Sequence, residues 1–257
     1  MLAVVHKSVA QAPEELSVPE VIGSPDCLTT TGNDLLSNFK AAYPDAMSLH
    51  FDGNSAMAFT HKNQALLRPR TLAVVDDVHC ICVGMLENLA MLRQRYGLGK
   101  SVHEVELIIE MYRSLRDRGG YSADQVIGEL AGSFAFVLFD NKTRKLLVAS
   151  DPQGKVEFYW GTAADGAIAF SDDAKLQKEG CGKSFAPFPQ GCFFSSADGL
   201  HSFEHPMSTL KPVSRVDSQG QMCGSLFKVD KKGGMNGLDT PSTLGRSMTF
   251  PFPHHSE

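Results

Sequence analysis

The chain has 257 residues, 42% of them hydrophobic and 21% charged, with 24 basic against 29 acidic side chains and a formal net charge of −5. That length allows roughly one or two domains of about 100–200 residues, and the charge balance argues against a nucleic-acid binder, which needs clustered cations. No run reaches the roughly 20 apolar residues of a membrane span, and the start lacks the ~7–15-residue apolar core of a secretory signal, so the expectation is a cytoplasmic protein, with the nucleus open at this size, and six free thiols.

Residues 2–6 read as a short strand, and 11–34, rich in Pro, Ser, Thr, Gly and Asp, as a loop. A helix is expected to begin at Asp34 and stop before Pro44. Strand-like pieces follow at 46–51, 56–60 and 79–85, with Asp52-Gly53 as a hairpin signal between the first two. The clearest helix is 103–118, where Val105, Ile108, Ile109, Tyr112 and Leu115 make one apolar stripe. Gly119-Gly120 should end it. A second helix is expected over 122–130, with Ser122 as N-cap and Gln125 at the capping-box position.

The period then changes. Residues 133–139 (SFAFVLF) are apolar on both faces, so that strand should be covered on both sides. Further strands are expected at 145–150, 157–161, 167–171, 191–195 and 200–204, with hairpin turns at Asp165-Gly166 and Asp198-Gly199. Strands, then adjacent helices, then more strands indicate α+β layering rather than alternating βαβ units. The expected domain covers 1–206 and an extension 207–257, of which 228–257 reads as a mobile tail from its Gly, Pro, Ser and Lys content.

Several motifs have plain structural readings. Cys80-x-Cys82 shares one strand face but lacks the spacing and second pair of a zinc site, and Cys27, Cys181, Cys192 and Cys223 are isolated. The stretch 233–240 (GGMNGLDT) has no strand before it and Pro241 after it, which does not suit a phosphate loop. His254-His255 carries no metal expectation, and Arg246-x-x-Thr249 and Arg215-x-x-Ser218 are short phosphorylation-type matches of low specificity.

At 129–140 (ELAGSFAFVLFD) and 148–161 (VASDPQGKVEFYWG) the sequence resembles the class II glutamine amidotransferase domain of asparagine synthetases. Residues 44–61, 83–93, 169–177 and 187–199 are similar to other parts of that domain, so the resemblance covers about 2–206. Tyr96-Gly97-Leu98 and Leu115-Arg116-Asp117-Arg118, with MLAVVHKS at the start and GRSMTF near the end, resemble the plant aluminium-induced, stem-specific family with YGL and LRDR motifs. The resemblance implies a four-layer αββα N-terminal-nucleophile-type sandwich and an association with stress, auxin, sugar and dormancy responses.

It also implies a test of the chemistry. Class II amidotransferases attack the glutamine amide with an N-terminal cysteine whose own amine is the base. Leu2 stands there, and its bulk predicts that Met1 is retained. Their oxyanion Asn-Gly aligns with Val83-Gly84, followed by Asn88, so one side-chain donor is missing. One such donor is worth about 10²–10³ in rate. The carboxylate-binding arginine aligns with Lys62, a point charge rather than a fork. The acidic residue for the substrate amine aligns with Glu104, and a further arginine with Ala42.

The leading expectation is a non-catalytic amidotransferase-like protein used for binding or regulation. A second is an amino-acid sensor keeping Lys62 and Glu104 as ligands, and a third an active hydrolase with Cys27, Cys80 or Cys82 as nucleophile. Lys62, Glu104, Gly84 and both named motifs also have structural readings: surface charge, tight packing, and helix ends in which Arg116 and Arg118 cap carbonyls and Leu98 latches the stop. No cofactor or metal is implied. Candidate partners are a second copy, through an exposed sheet or helix face, and a small amino acid.

Overall fold

The computed structural model describes residues 1–16, 30–216 and 222–230. Cys27, Ser218 and everything from 231 onward, including the 233–240 stretch, Arg246, Thr249 and His254-His255, lie outside them. In chain order the elements are β1 (Leu2–Val5), α1 (Gly32–Ala42), β2 (Met47–Asp52), β3 (Ser55–Phe59), β4 (Arg70–Val75) and β5 (Val78–Leu86). Next come α2 (Leu89–Arg95), α3 (Glu104–Arg118), α4 (Ala123–Ile127), β6 (Gly132–Asp140), β7 (Lys145–Ser150), β8 (Tyr159–Thr162) and β9 (Ile168–Ser171). The described part closes with α5 (Ala174–Cys181), β10 (Ala186–Pro187), β11 (Cys192–Ser195), β12 (Gly199–Ser202), β13 (Leu210–Val216) and β14 (Met222–Val229).

Two six-stranded sheets form, in the orders β10-β8-β9-β1-β3-β2 and β12-β11-β7-β6-β5-β4, and β13 and β14 make a separate hairpin. The alternation of side chains along each strand builds the layers. Met1, Ala3 and Val5 enter the core between the sheets, while Leu2 and Val4 pack with Leu35, Phe39 and Leu176 of α1 and α5. In β6, Ala135, Val137 and Phe139 face the other sheet, and Phe134, Phe136 and Leu138 face α3 and α4. The four layers are therefore helix, sheet, sheet and helix, and of the run expected at 133–139 residues 134–139 are buried on both faces, Ser133 being half-buried.

Local chemistry explains where elements start and stop. The first helix begins at Gly32 rather than Asp34, because Thr31 and Asp34 form a reciprocal capping box ahead of it. The first hairpin turn is Gly53-Asn54, one residue later than expected, with Asp52 paired to Ser55. At 122–130 the helix is shorter than its pattern, ending at Ile127, although Ser122 and Gln125 do form their box. Several elements lacked a sequence signal, β4, α2, α5 and the two-residue β10 among them. β4 has no alternation, and α2 and α5 are too short for a helical stripe. Beyond 206 the chain forms the β13–β14 hairpin, and its Phe227 packs on Trp160 at 5.6 Å between ring centroids. Lys228 and Val229, read as tail from composition, belong to β14.

Candidate functional site

The head of β1 is the first place to look, since an N-terminal nucleophile would sit there. Leu2 is fully buried in the α1/α5 layer, paired in the ladder with Ala58 on one side and Ser171 on the other. Met1 is also buried. Its carbonyl accepts from Ser171 Oγ at 2.8 Å, and its α-amine is ion-paired with Asp172. Burial pulls the pKa of that amine below its ordinary value, against the opposing pull of Asp172.

Asp172 is shared. Arg70, at the start of β4, donates to it through Nε and sends Nη1 to the carbonyls of Thr60 (3.1 Å) and Lys62 (3.0 Å). Arg70 lies directly opposite Val83 in the β4–β5 ladder. An internal chain of charge thus runs from the Met1 amine through Asp172 to Arg70. Beside it, Tyr43 donates to Asp173 at 3.0 Å. None of Arg70, Asp172 or Tyr43 was singled out from sequence. The signal was local and weak: a cation in the 68–70 RPR stretch and the 171–173 SDD stretch that ends β9.

The other sequence candidates fall in several places. The Lys62 side chain is exposed, and only its backbone joins the Arg70 network. Val83 is buried between the sheets. Gly84 has φ +113°, and a β-carbon there would lie 1.9 Å from the Ser133 carbonyl, so close approach of β5 to β6 requires glycine. Asn88 donates to the Glu129 carbonyl (2.8 Å) and accepts from the Ala131 amide (3.1 Å), tying the start of α2 to the α4–β6 connection. Glu104 lies in the first turn of α3, where its charge adds to burial in raising the pKa of Cys82 on the helix-facing side of β5. Among the described contacts, none joins Lys62 to Glu104.

The four described cysteine side chains lie deep. Cys80 and Cys82 are buried under α3, and burial pushes the Cys82 thiol up to about 12 and Cys80 well above its ordinary value. Cys181 and Cys192 are likewise buried and pushed up to about 12. At neutral pH these four are protonated, and the thiol form is a poor nucleophile.

Both named motifs do structural work. Tyr96 ends α2, Gly97 takes φ +68°, and the amides of Gly97 and Leu98 bond back to the carbonyls of Gln94 (3.2 Å) and Arg93 (2.7 Å), a Schellman stop. Leu98 packs into the core under α3, and Tyr96 donates to Glu129 at 3.1 Å. In the second motif, Gly119 rather than an arginine ends α3. The expected role of Arg116 as a carbonyl cap is corrected: its guanidinium binds the carboxylates of Asp117 (2.7 Å) and the fully buried Asp140 (3.1 Å). Leu115 and Arg116 also line a surface groove of about 580 Å³ with Lys145, Phe193 and His201, away from the head of β1.

Residues 2–229 match the family described as Aluminium induced protein. The stem-specific protein TSJT1 of Nicotiana tabacum is 42% identical over 149 residues, 58% of this chain and 99% of that protein. A probable glutamine-hydrolysing asparagine synthetase of Dictyostelium discoideum is 40% identical over 97 residues, 38% of this chain but only 16% of that protein. Among solved structures, a glutamine aminotransferase class-II domain protein from Silicibacter pomeroyi aligns over 77% of this chain and 88% of that one, with 12% identity and a TM-score of 0.40.

Proposed function

The chain belongs to the aluminium-induced protein family, and we propose that it is a non-catalytic relative of the glutamine amidotransferase domain with a binding or regulatory role in plant stress and growth responses. The observation that carries this reading is the head of β1. Where amidotransferase chemistry needs an exposed nucleophile, Leu2 is 0% exposed and supplies no lone pair. The groups that could have met a substrate are turned on one another, since Asp172 holds both the Met1 amine and Arg70. Val83 offers no side-chain donor to an oxyanion, and the four described thiols are protonated at neutral pH.

Support for the role comes from the description of the family and the name of the stem-specific relative. A glutamine-analogue diazoketone tests the catalytic half. Intact mass is expected to remain that of the unmodified chain after exposure, and an adduct mapped to any cysteine would overturn the reading. Titration calorimetry with glutamine, asparagine and glutamate tests the sensor alternative. No heat is expected beyond dilution, and saturable binding lost in Lys62→Ala would establish the sensor instead.

A further inference from the structure

We propose that β4 is the seam of a homodimer, in which the β4 strands of two copies pair antiparallel about a two-fold axis at Ala73 and join two six-stranded sheets into one. Open sheet edges template pairing with another chain, and proteins normally blunt them. The edges of this molecule differ in that respect. β2 carries a bulge between His50 and Asp52, β10 has two residues including Pro187, and β12 has four residues. The β13–β14 hairpin carries Lys211, Pro212 and a bulge near Val216. β4 ends its sheet with six residues, RTLAVV, in unbroken register with β5 from Arg70 to Val75. It holds no Pro, Lys or bulge, and its one charge, Arg70, is committed to Asp172.

The backbone fixes which groups are on offer. The Pro69 carbonyl faces β5, where it accepts from the Gly84 amide at 3.0 Å. The Arg70 amide therefore faces outward, and Gln64 Oε1 accepts it at 3.1 Å. The two-residue period turns the amides and carbonyls of Leu72 and Val74 outward as well, and no hydrogen bond from the described residues reaches them. A copy turned by a two-fold at Ala73 sets Leu72 opposite the partner's Val74 and exchanges both backbone bonds, so the same patch serves both copies.

Charge and apolar surface favour the same arrangement. Just ahead of β4 stand Lys62 and Arg68, both exposed, and just after it the exposed Asp77 and Asp76, the latter also ion-paired with Arg113 of α3 at 3.2 Å. Antiparallel pairing brings the basic end of one strand against the acidic end of the other, whereas parallel pairing would put like charges together. Leu66 and Leu67, 94% and 73% exposed, occupy the centre of a turn closed by the Arg68 amide on the Ala65 carbonyl at 2.9 Å. Turn centres ordinarily carry Pro, Gly, Asn or Asp. Together with Val74 they extend the apolar surface along the seam.

Sedimentation and a crosslink test the register. The wild-type protein at tens of micromolar is expected to sediment at twice its 27.9 kDa chain mass. Ala73→Cys should give a disulfide-linked dimer under oxidised glutathione, absent from wild type and mapped to position 73 in both copies. Directly opposed, non-bonded strand positions lie about 4.5 Å apart at Cα, within disulfide reach. Val74→Pro removes an outward amide while sparing the β5 ladder and should sediment as a monomer with unchanged circular dichroism. As a check independent of proline, Arg68→Glu or Asp77→Lys alone should raise the dimer dissociation constant by about tenfold or more, and the two together should restore it. A monomeric wild type, a dimer that survives Val74→Pro, or no crosslink at position 73 overturns the proposal.

Discussion

Asp140 ties the LRDR segment to the core, and removing its carboxylate should be among the costliest single changes away from β1. The side chain is 0% exposed. It accepts from Tyr112 Oη (2.9 Å), Arg116 Nη1 (3.1 Å), and the amides of Lys142 (2.9 Å) and Thr143 (3.2 Å), joining α3, β6 and the turn after β6. Burial works to raise its carboxyl, but hydrogen bonds from Thr143 and Arg116 outweigh it and hold the group below its ordinary value. Breaking a buried charge pair costs about 3–5 kcal/mol. Arg116 keeps Asp117, so Asp140→Ala should fall near the lower end, about 3 kcal/mol. Asp140→Asn retains the shape and one acceptor and should cost about 1–2 kcal/mol.

The assay is urea unfolding followed by circular dichroism, with Asp140→Ala, Arg116→Ala and the double variant. In a chain of this size 1 kcal/mol corresponds to roughly 2–4 °C of melting temperature, so Asp140→Ala should melt about 6–12 °C lower. Because the folded carboxyl is depressed, its contribution is fully present above the unfolded value of about 3.9. It is lost as pH falls through the lower folded value. The stability gap between wild type and Asp140→Asn should therefore close below about pH 4. A loss under about 1 kcal/mol in Asp140→Ala, or strict additivity with Arg116→Ala, would refute the network account.

Other outcomes follow from local geometry. Gly84→Ala combines a positive φ with overlap on the Ser133 carbonyl and should cost roughly 2–5 kcal/mol in urea unfolding. Gly97→Ala shares the positive φ but meets nothing within 4 Å, so it should cost only about 1–2 kcal/mol; equal losses at the two sites would contradict the contact argument. Leu2→Ala should lose about 2–5 kcal/mol, as a buried leucine in a packed layer does, and a neutral result would mean that Leu2 is not core. Cys80, Cys82, Cys181 and Cys192 should resist an aromatic disulfide reagent at pH 8 until denaturant is added; rapid native labelling mapped to any of them would contradict their burial.

Strong local signals in the sequence carried much of the fold. The stripe through Val105, Ile108, Ile109 and Tyr112 identified α3, and the doubly apolar 133–139 run identified a strand covered on both faces. What escaped depends on contacts distant in sequence. β4 is a strand because β5 pairs with it, and its own residues do not alternate in burial. The site shows the same limit. The substitutions Leu2 and Val83 are visible residue by residue, but Arg70 and Asp172, 102 positions apart in sequence, meet only when the chain folds back. No spacing rule links them. The Arg116 role was misread for a related reason, since helix-end position suggested local capping while a buried carboxylate on β6 was the actual partner.

Ammonia release from glutamine by the purified full-length protein tests the central claim most directly. The account predicts no release above the buffer rate at neutral pH, in wild type and in Lys62→Ala alike, because neither Leu2 nor the buried thiols provide a nucleophile. Turnover that scales with protein concentration and is abolished by a cysteine-directed reagent would contradict it.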